Sequence, residues 1–423
     1  MKINTSIMTA ASAIAAIAMT LLLYGCKSTS SPDWLLLFEG ERISAERDSL
    51  NYICKTNNGM LTIIKYIGSG GTVTIPEKIN GLPVTSIAEN SFDGCSSLSN
   101  LSIPKSVTII GDGAFYNCTN LTKVMIGKNV ISIGKWAFYN CLSLTTITVH
   151  ARNPAFSSRD GVLFNKRQTM IIQYPATKAG IYSIPRSVTN IGFQAFQCCS
   201  RLVSLMIPNS VTNIGDWAFT GCSQLTNITI PNSVALIGSY AFYPCTNLNK
   251  ITVDGKNPAY SSIDGVLFSK NQGTLIKCPE GKTGAYTIPS NVANIAWGSF
   301  RGCSHLTDIR IPDSVTHIGD VAFQGCSGLT NITIPDSVIS IGYNSFQICT
   351  NLTSVTIGTN MVTIDGMAFD SCFRLASIYF KGNAPTVGLY VFSGANKVVV
   401  YYRPETTGWG KTFGGKHTAK WVR

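Results

Sequence analysis

The chain has 423 residues, of which 45% are hydrophobic, 10% aromatic and only 13% charged, against roughly 25% charged in an average soluble domain. This excludes a disordered chain, which needs low hydrophobicity and high charge; the length alone fits two or three ordinary domains or one elongated array. The net charge of +12 and the pI of 9.0 point to an anionic partner of unspecified kind, because net charge governs association rather than fold.

In chain order, Lys2 supplies a positive start, and Ile7 to Leu23 is an apolar run of small and branched residues with the length of a signal-peptide core. It leads into Leu23-Tyr24-Gly25-Cys26, which resembles a bacterial lipobox. The resemblance implies cleavage before Cys26 and lipid attachment to that cysteine. A plain transmembrane anchor needs about 20 apolar residues, and this run falls short. Residues 1–25 are therefore expected to be a lipoprotein signal peptide and 26–50 a tether, beginning with the polar Lys27-Ser28-Thr29-Ser30-Ser31-Pro32. Export and a membrane contact through the N-terminal lipid follow.

A fixed period organises the remainder. Phe92, Phe115 and Phe138 are 23 residues apart, as are Phe196, Phe219 and Phe242, and again Phe300, Phe323, Phe346, Phe369 and Phe392. One unit, Ile207 to Thr229, reads I-P-x-S-V-T-x-I-G-x-x-A-F-x-x-C-x-x-L-T-x-I-x. The two wider gaps, after Phe138 and after Phe242, each hold 35 extra residues. These inserts match one another at an offset of 104: Asn153-Pro154 with Asn257-Pro258, and Asp160-Gly161-Val162-Leu163-Phe164 with Asp264-Gly265-Val266-Leu267-Phe268. A whole block has been duplicated.

The spacing predicts the architecture. Leu225 to Ile230 alternates apolar and polar residues, the mark of a strand with one buried face. Pro231 ends that strand's pairing, Gly238 is expected to make the bend, and Ala241-Phe242-Tyr243 a short helical or 3₁₀ turn. A single coil cannot bury its apolar face alone, so neighbours must stack. The predicted fold is a mostly β repeat solenoid of the leucine-rich-repeat type. Roughly 13 to 15 coils at ~4.8 Å per strand would give a monomeric rod roughly 65–70 Å long.

At this point the sequence resembles the BspA-like leucine-rich repeat proteins of bacterial surfaces, through its eleven 23-residue units, the Asn-Pro insert and the closing Gly-Trp-Gly-Lys-Thr-Phe-Gly-Gly segment. The likeness covers roughly residues 58 to 423. It divides the chain into an entry segment at 51–75, an array at 76–380 with inserts at about 149–183 and 253–287, and a basic cap at 381–423. It implies a cell-surface protein that binds other macromolecules, including host matrix proteins in some members.

Ten of the fourteen cysteines stand three residues after the repeat phenylalanine, from Cys95 to Cys372. Stacked in register their Cβ atoms would be about 4.8 Å apart, beyond the ~3.8 Å mean of a disulfide, and zinc wants C-x₂-C pairs with further ligands. The expected role is that of small buried hydrophobes, with no metal and no cofactor. His150, His305, His317 and His417 occupy unrelated repeat positions, so no base and nucleophile pair recurs. Asp313 and Asp336 stand where sister units carry Asn209 and Asn232. No catalytic residue is assigned and the chain is expected not to be an enzyme. Gly410 to Lys416 nearly spells a phosphate loop, but His417 follows where Ser or Thr is needed, and too little chain remains for its helix.

The strand positions that point outward are mostly hydroxyl-bearing, with a few protruding exceptions: Lys123, Met125, Met206, Lys250, Arg310 and Tyr379. Arg, Tyr and Met are enriched where interfaces concentrate energy, so these six are the candidate ligand-binding residues. From Phe380 to Arg423 seven Lys or Arg face Glu405 alone, suited to an acidic glycan or envelope phosphate. Nucleic acid lacks the basic and aromatic interleaving it needs. The expected function is a lipid-anchored, adhesin-like surface protein with an extracellular protein or glycan ligand. The alternative is an envelope scaffold without a dedicated ligand.

Overall fold

The structure is a computed structural model that describes residues 46–47 and 51–421. The expected signal peptide, Cys26 and most of the tether lie outside the described residues. Of residues 26–50 only Glu46–Arg47 is described, as a short strand antiparallel to Tyr52–Asn57.

The rest is a β-solenoid of about fifteen coils, each of roughly 23 residues. Each coil contributes a strand such as Lys123–Ile126, a turn around the repeat phenylalanine, and a two-residue strand such as Ser132–Ile133 on the return. Successive strands are parallel and aligned at the repeat offset, so that Lys123 faces Thr146, Asn227 faces Lys250 and Ser354 faces Ser377. The short strands form a second ladder, as in Asn190, Asn213 and Leu236. The turns join too: Phe115 N donates to Ala137 O at 2.9 Å and Phe196 N to Ala218 O at 2.8 Å. All three sides of a coil are therefore bonded to the next, which satisfies backbone groups that burial would otherwise orphan.

The consensus side chains complete this bonding. Ser210 Oγ donates to Val188 O and Ser233 Oγ to Val211 O, at 2.7 and 2.6 Å; Thr122 and Thr145 donate to Ser99 O and Thr122 O. The cysteines do more than fill space. Cys118, Cys222, Cys245, Cys326, Cys349 and Cys372 each donate the thiol to the carbonyl of the preceding coil's phenylalanine at 3.1–3.2 Å. In the first coil after each insert the acceptor is Tyr174 or Cys278 instead.

Two details of the turn differ from expectation. The described residues contain no helix: isolated i→i+3 bonds form, such as Thr220 N to Trp217 O, but Trp217 at φ 58° and Gly221 at φ 75° bracket Phe219 with left-handed backbone. Helical dihedrals cannot propagate through such residues. The glycine four before the phenylalanine serves approach rather than bending. A Cβ on Gly238 would sit 2.4 Å from Asp216 N of the adjacent coil.

Inside, the repeat phenylalanines stack at 4.9–5.9 Å within each run, from Phe300 through Phe392 for example. The ladder is interrupted at the inserts, where the core divides into three clusters. Each insert places a hairpin strand between two clusters. Leu163 joins the preceding one while Val162 and Phe164 join the next, and Leu267 is flanked likewise by Val266 and Phe268. The hairpin turns at Asp160 and Gly161 have φ 52° and 78°, the pair of positive values that a type I′ turn requires. Asn153 and Asn257 are wholly buried. Asn257 Nδ2 donates to Pro231 O and Val234 O at 2.8 and 2.9 Å, and its Oδ1 accepts from Ala259 N and Tyr260 N; Asn153 repeats all four bonds.

Asn257→Ala leaves four buried backbone groups without partners at ~1–3 kcal/mol each if unsolvated. A loss of at least about 3 kcal/mol in urea unfolding is expected, and an unmoved midpoint would show that the amide is dispensable. Phe219→Ala should cost ~3–5 kcal/mol by the same assay. Burial pushes the thiols of Cys118, Cys222, Cys245, Cys303, Cys326, Cys349 and Cys372 up, and that of Cys141 to about 12, so thiolate is scarce there at pH 8. A thiol-specific disulfide reagent should modify the half-buried Cys95 and Cys198 in folded protein and the remaining described cysteines only after denaturation. Rapid native labelling of the others would contradict this burial.

Candidate binding face

The candidate residues follow from the register of the strand ladder. On Lys123–Ile126, Val124 and Ile126 are buried while Lys123 and Met125 are exposed. Asn100 and Thr146 flank Lys123 in register, and Ser102 and Thr148 flank Met125. These two columns, with Thr72, border an open depression of about 350 Å³. Its floor is preset by hydrogen bonds, Asn100 Nδ2 to Thr72 Oγ1 and Thr122 Oγ1 to Asn100 Oδ1, both 3.1 Å.

The other four candidates lie elsewhere on the ladder. Met206 ends Leu202–Met206 and is 56% exposed, and Lys250 begins Lys250–Val253 two strands further along the same sheet. Lys123 and Lys250 belong to sheets separated by the first insert, so they do not form one site. Arg310 is exposed, but its guanidinium lies 3.5 Å from Asp308 on its own strand, which tempers its charge. Tyr379 is half-buried: its ring stacks on Tyr401 at 5.0 Å and meets Trp421 at 5.1 Å, with Arg403 5.6 Å over Trp421. Sequence reasoning misses Tyr401, Arg403 and Trp421. The closing segment lacks the 23-residue frame, so only pairing of Val399–Tyr402 with Lys416–Lys420 reveals that they share the face with Tyr379.

Three aspartates serve structure. Asp216 Oδ1 accepts Ser239 N and Asp320 Oδ1 accepts Tyr343 N from the next coil; Asp336 accepts Thr359 N and lies 3.7 Å from Lys381. All four histidines are at least partly exposed, and the described residues hold no cluster of three His, Cys, Asp or Glu. Thr412–Phe413 and Lys416–Lys420 form an antiparallel hairpin through Gly414 and Gly415, not a loop leading into a phosphate-binding helix. One buried ion pair stands out: Lys277 Nζ lies 3.4 Å from Glu280 Oε1 and donates to Arg301 O at 3.1 Å. Burial raises the Glu280 carboxyl against the pull of Lys277; for Lys277 burial is the largest influence and lowers it, but Glu280 together with the neighbouring cysteines raises it on balance.

Comparison with known proteins places this geometry. No curated protein sequence matches the chain. Among solved structures, a leucine-rich cell surface protein of Faecalibacterium prausnitzii is 28% identical, covering 90% of this chain and 97% of its own, with a TM-score of 0.58. The pneumococcal vaccine antigen PcpA is 21% identical over 88% of this chain and 97% of its own, with a TM-score of 0.47. A leucine-rich repeat protein of Eubacterium ventriosum is 23% identical over 70% and 92%, with a TM-score of 0.44. The family model for the BspA-type leucine-rich repeat region matches residues 72–170, 174–284 and 282–399, the same coils whose 23-residue register builds the ladders described above. The chain belongs to the BspA-type leucine-rich repeat family.

Proposed function

We propose that this protein is a non-catalytic binding protein displayed on a bacterial cell surface and held there by lipid on Cys26, with the strand face of its solenoid taking an extracellular or host protein, or a glycan. The observation that carries this reading is the exposed face around Lys123 and Met125. A cation and an adaptable thioether project from a field of hydroxyl and amide groups whose positions the ladder sets. Long flexible methionines conform to a partner's surface, and hydroxyls prefixed by backbone bonds lose little entropy on binding. The cell-surface description of the F. prausnitzii protein supports display.

Two measurements test the proposal. Protease added to intact cells should remove the C-terminal cap from the native protein, and Cys26→Ala should release the protein from the membrane; full protection with the lipid intact would favour an envelope scaffold. Against an immobilised host matrix protein or glycan that the native protein captures, Lys123→Ala combined with Met125→Ala should weaken binding about tenfold, about 1.4 kcal/mol, without moving the melting temperature. Unchanged capture would remove this patch from the site.

A further inference from the structure

The opposite signal lies on the turns. Two residues before each repeat phenylalanine the backbone is left-handed in all eleven coils, with φ between 48° and 58°. Side chains other than those of Gly, Asn and Asp take this conformation at a cost of about 1–2 kcal/mol. Asn90, Gly113, Gly298 and Asn344 suit it, yet Trp136, Trp217, Tyr240 and Tyr390 carry large rings there, Trp136 and Tyr240 in the coils that precede the inserts. Aromatic residues held in a costly backbone conformation invite a functional explanation.

Their surroundings suggest one. Trp217 and Tyr240 stack at 3.9 Å with planes 7° apart, and Trp297, 41% exposed, meets Tyr240 edge to face at 4.2 Å across the second insert. Tyr243 adds a ring on which the Arg301 guanidinium lies at 4.0 Å, 5.7 Å from that of Tyr240. Among the described residues no ion pair within 4 Å involves Arg301; its charge is felt by Glu280, which pairs with Lys277, and its side chain hydrogen-bonds Tyr240. The first insert provides an internal control at an offset of 104. There Trp136 meets Phe193 at 5.4 Å, which shows what bridging the seam requires, and Gln197 stands where the second seam has Arg301. The first seam already carries Tyr139 at the place of Tyr243 and Lys135 5.8 Å over Phe193, so what the second seam adds is the stacked ring of Trp217, where the first has Gly113, and the planar guanidinium of Arg301.

We infer that the cluster of Trp217, Tyr240, Tyr243, Trp297 and Arg301 is a second binding site, for a carboxylated sugar, on the turn side of the coils and separate from the strand face. The ring of Trp297 offers a surface for the apolar C–H face of a pyranose, since aromatic faces carry negative charge that attracts polarised C–H groups. The planar fork of Arg301 suits a carboxylate bidentately. One guanidinium fits a single carboxylate better than a nucleic acid, whose binding draws on several phosphate contacts. The acid could be a uronate within a chain or a terminal sialic acid, and these share the recognised group.

The test is calorimetric titration of the full-length protein in detergent with a short oligogalacturonate, with sialyllactose and with neutral lactose. At least one acidic probe should bind while lactose does not, and which one binds identifies the source. Arg301→Gln, which installs the side chain that the first seam already tolerates at Gln197, should weaken binding at least tenfold at an unchanged melting temperature. Trp297→Phe, which copies Phe193 of the first seam, should weaken it several-fold. Lys123→Ala with Met125→Ala should leave it unaffected, so failure here is distinguishable from failure of the strand-face reading. Silence of both acidic probes, equal binding of lactose, or full binding by Arg301→Gln would overturn the inference.

Discussion

Every feature of this protein depends on one constraint: a 23-residue coil closes few hydrogen bonds of its own and must give its backbone to the coils on either side. The strand, the turn and the return strand all pair in parallel at the same offset. The consensus residues are those that finish what the backbone leaves undone. Ser and Cys reach carbonyls of the neighbouring coil, and glycine four before the phenylalanine allows two backbones to approach within van der Waals distance. Hydrophobic burial supplies the driving force, but the register decides that phenylalanine meets phenylalanine.

The inserts show the same logic where the period breaks. A 35-residue addition could have severed the array. Instead each insert pushes a strand buried on both faces between two core clusters, and a single buried asparagine binds its entry to the coil before it. Aromatic pairs seal the outer turn at both seams. The duplication carried the joint along with the repeats.

A framework stabilised from within leaves its surface free to vary. Outward positions on the strand ladder alternate between hydroxyls and long side chains without disturbing the pattern beneath, and the left-handed turn position accepts glycine, asparagine or tryptophan in the same backbone. Function on such a scaffold lies in the exceptions, the residues that the coil does not need. Lys123, Met125 and the ring cluster around Arg301 are exceptions of this kind.

The period of phenylalanine, the alternation of Leu225 to Ile230 and the matched inserts made the solenoid legible in the amino-acid sequence, because each is a one-dimensional signal that the fold copies directly. The outward strand positions were legible for the same reason. Three things were decided only by tertiary structure. The left-handed corners at Trp217 and Gly221 replaced a helical turn, since nothing in Trp-Ala-Phe-Thr announces a positive φ. The thiols became hydrogen-bond donors because neighbouring coils brought the phenylalanine carbonyls to them. Tyr379 joined Tyr401 and Trp421, and Tyr240 joined Trp297 and Arg301, across breaks in the repeat where sequence distance no longer measures spatial distance. A regular stack converts spacing into position; where the spacing is interrupted, only the packed coils determine which side chains meet.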